Sequence, residues 1–254
     1  MASDTPFLSW LEPGDAFPDV HAAWSQGSAA PGLLAAGGAL DVDSLRRAYA
    51  SGIFPWFSAG QPILWWSPDP RMVLRTDRFK LHHSLRRKIR SLLRQSRLEV
   101  RFDSRFDTVI EACATSPRAG QNGTWIVPEM IAAYRALHRS GDAHSVETWI
   151  DGEIAGGLYF VAQGRAVFGE SMFARVSDAS KIALAALVAF SRHHAIDRID
   201  CQQNTRHLAS LGATETARSE FLEHLAIDRR KPSPAWRFAA VYWDTLLHQP
   251  DRHP

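Results

Sequence analysis

The sequence contains little cysteine and no long apolar run. Its 254 residues include only Cys113 and Cys201, too few for a disulfide framework, and this favours a reducing compartment. The longest uninterrupted apolar run, Ile182–Phe190, has nine residues, whereas a membrane-spanning helix needs about 20. We therefore expect a cytoplasmic protein with no membrane partner.

The motifs of several common enzyme mechanisms are also missing. The chain has no glycine-rich dinucleotide or P-loop motif and no Cys or His spacing typical of a zinc site. It lacks the GxSxG element that carries a nucleophilic serine. We therefore expect neither a metal nor a cofactor, and a covalent mechanism is disfavoured.

The composition is that of an ordinary globular protein. Hydrophobic residues make up 45% of the chain and charged residues 22%, so the chain can bury a core. Its length suggests one or two domains. The rigid PDP sequence at Pro68–Pro70 predicts a boundary between a small N-terminal domain, residues 1–69, and a larger domain, residues 70–254.

The net charge of +2 hides one basic segment. The 35 residues Arg71–Arg105 carry twelve Lys or Arg and three acids, a net +9 that leaves −7 for the remainder of the chain. Leu85 and Ile89 form part of an apolar stripe on a predicted helix. Off this stripe lie four candidate RNA-binding residues: Arg86, Arg87, Lys88 and Arg90. A solvated helix face is the ordinary interpretation of such a run, but the charge imbalance favours a polyanion.

From Ala143 onward the pattern predicts three strands, a helix and a further strand. HSVETWIDGEIAGGLYFVAQGRAVFGESMF alternates strand-forming residues and contains two turn signals, Asp151-Gly152 and Gln163-Gly164. SDASKIALAALVAFSRHH predicts a buried helix, and AIDRIDCQQ predicts the strand after it. Such a strand, helix and strand unit normally makes its two strands parallel.

Three polar residues lie near the carboxyl ends of neighbouring predicted strands. Glu170 lies in FGESMF, and Asp200 and Gln202 lie in IDCQ, where open α/β sheets place ligands. Asp200 and Gln202 are expected to share one strand face because side chains alternate with a period of two. From spacing alone, a solvated carboxylate for Glu170 and a helix cap or an ion pair for Asp200 are the stronger interpretations.

A series of motifs runs in a fixed order between Gly32 and Gly212: GLLAAGGAL, AYASGIFPWFS, PILWWSPDPR, HHSLRRKIR, GTWIVPEM, AYRALHRSGDAHSVETW, GGLYFVAQG, FGESMF, DASKIAL, IDCQ and HLASLGA. This order resembles that of the leucyl/phenylalanyl-tRNA–protein transferases. The resemblance implies a transferase that moves Leu or Phe, and also Met, from aminoacyl-tRNA to the N-terminal Arg or Lys of acceptor proteins. The modified proteins then enter the N-end rule degradation pathway.

The resemblance also implies a fold and a set of catalytic residues. The fold is α+β, with a small N-terminal α/β domain packed on a larger GNAT-like mixed α/β domain. Asp200 is implied to be the acid closest to the chemistry, as a base or through a relay with Gln202. Glu170 is implied to contact the cationic N-terminal residue of the acceptor or its amine. An aminoacyl ester is already activated, so no cofactor is needed.

Substrate-binding positions carry over in the same way. Trp56 and Trp125 match positions that hold the 3′ adenosine, which suits the sequence-tolerant stacking of bases on aromatic rings. Leu158, Met172 and Phe173 are candidates for a hydrophobic pocket for Leu or Phe, although core packing is the stronger interpretation for any one of them.

Arg86 and Arg87 match the family's basic helix, which is implied to meet the backbone of the tRNA acceptor stem. We expect a monomer. Two other functions stay open at this point: a GNAT-type acetyltransferase that uses acetyl-CoA, and an RNA-binding module without catalysis.

Overall fold

The computed structural model describes residues 7–116 and 126–247, which form two β-sheets with helices packed against them. Both sheets contain parallel and antiparallel neighbours. The chain therefore has a mixed α/β architecture, consistent with the α+β class expected from the sequence.

The smaller sheet lies in the N-terminal part of the chain. Its four strands are β1 (Ser9–Leu11), β2 (Leu33–Gly37), β3 (Phe54–Pro55) and β4 (Leu64–Trp66). Their order is β1-β2-β4-β3, with β1 and β2 parallel and the other neighbours antiparallel. Helix α1 (Val42–Ala50) connects β2 to β3, and the Asp41 carboxylate accepts a hydrogen bond from the backbone N–H of Ser44 at its N-terminus.

The larger sheet has seven strands. They are β5 (Arg71–Arg75), β6 (Leu98–Phe102), β7 (Ala143–Ile150), β8 (Glu153–Gln163), β9 (Ala166–Ala174), β10 (Arg198–Gln202) and β11 (Thr214–Thr216). Their order is β11-β5-β10-β9-β8-β7-β6, and β9 and β10 are its parallel pair. The predicted meander is confirmed as β7, β8 and β9.

Seven further helices lie in the described part of the chain. They are α2 (His83–Arg94), α3 (Phe106–Thr115), α4 (Pro128–Arg139), α5 (Ala179–His193), α6 (Arg206–Ser210), α7 (Arg218–Asp228) and α8 (Asp244–Leu247). Three short 3₁₀ helices occupy Val20–Ala22, Thr76–Arg78 and Ala240–Trp243. Helix α5 is the predicted crossover between the parallel strands β9 and β10, so this prediction is confirmed.

The two faces of the larger sheet contact different hydrophobic clusters. One cluster joins the smaller sheet, α1, α3 and α4 to one face, and it includes Tyr49, Tyr134 and Phe168. The other packs α2 and α5 on the opposite face and includes Ile89 and Val167. Adjacent residues Val167 and Phe168 thus serve different clusters, as strand alternation requires.

Within residues 7–116 and 126–247, none of the helices combines the length and the apolar character needed to cross a membrane.

Candidate active site

Asp200 forms a buried ion pair with Arg71 between the neighbouring strands β10 and β5 of the larger sheet. The Arg71 and Asp200 side chains are 0% and 2% exposed. Arg71 Nε donates to Asp200 Oδ1 at 2.9 Å and Nη2 donates to Oδ2 at 2.6 Å. Oδ1 also accepts the backbone N–H of Gln202 at 2.8 Å. Both carboxylate oxygens are therefore engaged within the protein.

A β-bulge places Gln202 beside this ion pair. In the pairing of β10 with β5, Asp200 lies opposite Val73 and Gln202 opposite Met72, so Cys201 is the extra residue. Gln202 itself has a φ of 63°, in the left-handed region. Simple alternation along the strand is thus interrupted, and the bulge and the left-handed backbone set the direction of the Gln202 side chain.

Glu170 is the extra residue of a second bulge. In the pairing of β8 with β9, Tyr159 lies opposite Ser171 and Phe160 opposite Gly169. Glu170 therefore sits inside β9, four residues after its start, and not at the strand end predicted from the sequence. A bulge redirects a side chain locally, and here it turns the carboxylate toward β10.

The Glu170 carboxylate receives three hydrogen bonds. Gln202 Nε2 donates to Oε1 at 2.7 Å, and the Tyr49 hydroxyl donates to the same oxygen at 2.7 Å. The Tyr134 hydroxyl donates to Oε2 at 3.3 Å. The two tyrosine hydroxyls are themselves 2.5 Å apart. Glu170, Gln202 and Asp200 are thereby brought into one connected network, in which Glu170 is partly exposed and Asp200 is buried.

Burial sets the protonation of this network. Desolvation raises the pKa of Glu170 to about 7, and the nearby Asp200 charge adds to this, while the hydrogen bond from Tyr49 opposes it. Burial, together with the Glu170 charge, raises the pKa of both Tyr49 and Tyr134 well above the ordinary value. Glu170 therefore changes its charge near neutral pH, while the two tyrosines stay protonated donors.

Sequence reasoning missed Arg71, Tyr49 and Tyr134. Each had a recognisable signal. Arg71 opens a strand whose next three residues are all buried, and a buried arginine needs a carboxylate partner. The two tyrosines lie on the apolar stripes of α1 and α4, and a buried tyrosine hydroxyl usually has a hydrogen-bond partner.

Trp56 lies just after β3 and is partly buried. Its ring packs edge to face on Trp66 with centroids 5.4 Å apart, and its carbonyl accepts a 2.7 Å hydrogen bond from Trp66 Nε1. The indole is thus held in place while part of it stays accessible. Trp125, the second candidate for base stacking, lies outside the described residues.

A family model described as "Leucyl/phenylalanyl-tRNA protein transferase" matches residues 73–226, and a model of the N-terminal domain of that family matches residues 38–69. A leucyl/phenylalanyl-tRNA–protein transferase of Albidiferax ferrireducens is 62% identical over 97% of this chain and 97% of its own. The chain belongs to the leucyl/phenylalanyl-tRNA–protein transferase family. Transferases of the same name from Polaromonas sp. (62% identical over 94% of both chains) and Paraburkholderia phytofirmans (56% identical over 91% of this chain and 94% of its own) are also similar.

Family membership confirms the resemblance drawn from the motifs, and it makes the chain an aminoacyltransferase.

The three candidate pocket residues of the transferase do not share one face of the sheet. Leu158 and Met172 lie directly opposite each other on β8 and β9 and belong to the cluster beneath α5, where Met172 keeps some exposure. Phe173 is buried in the cluster on the other face.

The four candidate RNA-binding residues of the transferase lie on α2 and differ in environment. Arg86 and Arg90 donate to the carbonyl of Leu247, the last residue of α8. Lys88 donates to the Ser177 carbonyl at 2.6 Å and pairs with Asp178 at 3.1 Å. Arg87 is exposed, and so is Arg94, seven residues further along the same helix. These two side chains therefore point into solvent from one face of α2.

Proposed function

We propose that Glu170, Gln202 and Asp200 form the centre at which this transferase joins an amino acid to a protein. The enzyme moves Leu or Phe from aminoacyl-tRNA to the N-terminal Arg or Lys of an acceptor, and the product enters the N-end rule pathway. The observation that carries the site assignment is the partly buried Glu170, whose carboxylate is bonded to Gln202 and has a pKa of about 7.

The reaction requires little beyond orientation and proton transfer. The acceptor's α-amine nitrogen attacks the ester carbonyl carbon, the new C–N bond forms, and the C–O bond to the terminal ribose breaks. One amine proton leaves during the attack, and the ribose oxygen gains a proton as it departs. A group whose pKa lies near the operating pH is suited to both transfers.

Glu170 is the proton acceptor in this proposal, and Asp200 orients Gln202. A peptide α-amine has a pKa of about 8, so a carboxylate with a pKa of about 7 is matched to it more closely than an ordinary one. Asp200 has both oxygens occupied by Arg71 and by the Gln202 backbone. Its contribution is to hold Gln202, whose amide then holds Glu170.

The donor is placed by aromatic and apolar side chains. Trp56 stacks on the terminal adenine, a contact worth roughly 1 to 3 kcal/mol for any base, and Trp125 is proposed as its partner. Leu158 and Met172 line the pocket for the Leu or Phe side chain. Phe173 supports β9 from the opposite face.

Helix α2 supplies the contact with the tRNA backbone. Arg87 carries this proposal furthest because it projects into solvent. Arg86, Lys88 and Arg90 donate hydrogen bonds to carbonyl groups of α8 and of the loop before α5. Their main contribution to RNA binding is therefore their positive charge, because some of their donor groups are already used. Phosphate contacts position the RNA without reading its sequence.

The start of α5 disfavours acetyl-CoA as the donor. The segment that leads into α5 is VSDASK, and it lacks the glycine-rich Q/RxxGxG/A loop that would bind the pyrophosphate of CoA at the helix N-terminus. We nevertheless infer a GNAT-like arrangement for the larger domain, 70–254, beside the small domain 1–69, because β7 to β10 with α5 follow the expected order.

The test is transfer of radiolabelled Leu from Leu-tRNA to a peptide that begins with Arg, beside the same peptide beginning with Gly. We expect label on the Arg peptide alone, and much slower labelling in Glu170→Gln. If the wild-type protein forms no peptide bond with charged tRNA and the Arg peptide, the proposal is overturned. Stabilisation by CoA without binding of puromycin would instead favour the acetyltransferase.

A further inference from the structure

We propose that Arg71 is a positioning residue of the transfer reaction, whose guanidinium holds the end of β10 and the segment Gly52–Trp56 in one fixed arrangement. The inference rests on the proposed function, because it concerns where that reaction places its amine and its adenosine. Arg71 touches neither substrate; it acts through Asp200 and through the carbonyl of Gly52.

Every donor nitrogen of the Arg71 guanidinium has an assigned partner. Besides the two bonds to Asp200, Nη1 donates to the Gly52 carbonyl at 3.2 Å. The guanidinium carbon lies 4.8 Å from the ring centroid of Phe54 and 4.7 Å from that of Phe221. The group is thus fixed by hydrogen bonds in its plane and by aromatic rings near it.

The contact with Gly52 matters because of where Gly52 lies in the chain. Gly52 lies between Tyr49, which bonds Glu170, and Trp56, which is proposed to stack on the adenine. A φ of 72° and the close approach of Phe221 and Leu222 leave no room for a side chain there. The backbone of this segment is therefore pressed against α7, and its carbonyl is held by Arg71.

One side chain thus connects both halves of the proposed site. Through Asp200 it holds Gln202 and, through Gln202, Glu170. Through Gly52 it holds the segment Gly52–Trp56, which carries Trp56 and directly follows the helix that carries Tyr49. A shift of about 1 Å between reacting groups can lower the rate by roughly 100-fold, so the relation between these two halves controls turnover.

The geometry distinguishes positioning from charge compensation. Lysine in place of Arg71 keeps a positive charge beside Asp200, but a single ammonium cannot form two parallel bonds to a carboxylate and also reach Gly52 from the same plane. If Arg71 only neutralises Asp200, lysine suffices. If its fork fixes the site, lysine does not.

The experiment compares Arg71→Lys with Arg218→Lys. Arg218 is a second buried arginine, on α7, whose Nη1 donates to the Ser67 carbonyl at 2.6 Å. The control therefore makes the same chemical change at an arginine that is not the hydrogen-bond partner of Asp200. Steady-state Leu transfer to the Arg peptide is measured over a range of Leu-tRNA concentrations, under conditions in which circular dichroism shows each protein folded.

We expect Arg71→Lys to lower kcat roughly 100-fold, with little change in the KM for Leu-tRNA, while Arg218→Lys keeps kcat. The rate of transfer should rise with pH as Glu170 loses its proton, and this rise should lie at higher pH in Arg71→Lys. The hydrogen bond from Gln202 lowers the pKa of Glu170, and the substitution loosens the hold on Gln202. A folded Arg71→Lys variant with wild-type kcat overturns the inference.

A second variant covers the case in which Arg71→Lys does not fold. Phe221→Leu removes one ring from the guanidinium and leaves the Asp200 pair in place. We expect a smaller loss of kcat with an unchanged KM, and an unchanged kcat overturns the inference. Failure of the wild-type protein to transfer Leu refutes the proposed function instead, so the two failures are distinguishable.

Discussion

Gln202 Nε2 donates a 2.7 Å hydrogen bond to Oε1 of Glu170 and so joins strands β10 and β9 at the point where each is bulged. The bond connects a fully buried ion pair on one side to the partly buried Glu170 on the other. It makes the position of Glu170 dependent on Asp200, although these two acids do not share a hydrogen bond.

Glu170→Gln should remove one pH limb of the transfer reaction. Single-turnover transfer by the wild-type protein should rise as the pH passes about 7, because Glu170 must lose its proton to act as a base. The substitution keeps the side chain's size and should abolish that limb, leaving only the titration of the acceptor amine. A limb at pH 7 that persists in Glu170→Gln would contradict the role of Glu170.

The stability of the same two proteins should diverge with pH. The pKa of Glu170 is raised from 4.5 to about 7 in the folded protein, so its stabilising contribution is complete below about pH 4.5 and is lost as the pH rises through 7. The Tm of Glu170→Gln relative to wild type should therefore increase between pH 4.5 and 7 and then stay level. Thermal denaturation at a series of pH values measures this.

Asp200→Asn should destabilise the protein as well as slow it. Removing one partner of a buried ion pair typically costs about 3 to 5 kcal/mol, roughly 10 °C in Tm for a chain of this size. The matched control is Asp151→Asn, because Arg97 and Asp151 form a similar two-bond pair that is about half exposed. That control should leave the free energy of unfolding close to the wild-type value, because solvent screens an exposed pair.

The hydroxyl groups of Tyr49 and Tyr134 should lower the pKa of Glu170 and so set the pH at which transfer rises. Both hydrogen bonds lower the pKa of Glu170, and Tyr49 contributes more. Tyr49→Phe should therefore move the limb near pH 7 to higher pH, and Tyr134→Phe should move it less. Tyr242→Phe, whose hydroxyl lies near His194, should leave the limb in place. An identical profile in all three variants would argue against this tuning.

Charge reversal on α2 should weaken tRNA binding in a salt-dependent manner. Arg87→Glu and Arg94→Glu change two exposed residues, and each lost phosphate contact should reduce the slope of log affinity against log salt by about one. Arg139→Glu, an exposed change on α4, is the control. Filter binding of Leu-tRNA across a salt series measures the slopes, and equal slopes for all three proteins would exclude α2 as the contact.

Met172→Ala should change the choice between Leu and Phe. A larger pocket should favour the larger side chain, and one methylene in a hydrophobic pocket is worth about 1 to 3 kcal/mol. The ratio of kcat/KM for Phe-tRNA and Leu-tRNA should therefore shift at least about tenfold. Phe173→Leu, on the opposite face of β9, should leave this ratio unchanged if Leu158 and Met172 line the pocket.

Local patterns predicted the elements around the site well. The apolar run within Ala179–His193 could form only a buried helix, and two turn signals delimited the strands before it. Alternation along the strand predicted that Asp200 and Gln202 lie close together, and they do. The reason is different, because the bulge at Cys201 interrupts the alternation. Bulges depend on how neighbouring strands pair, which a single strand's pattern does not contain.

The sequence by itself determined the family, the order of strands β7 to β10 around α5, and the basic character of α2, because motifs and periodicity are properties of neighbouring residues. Only the tertiary structure decided which groups surround Glu170 and Asp200. Arg71 meets Asp200 across 129 residues of chain, and Tyr49 meets Glu170 across 121. These long-range contacts depend on the packing of whole sheets and helices. The same packing buries the Glu170 carboxyl group, and this burial raises its pKa.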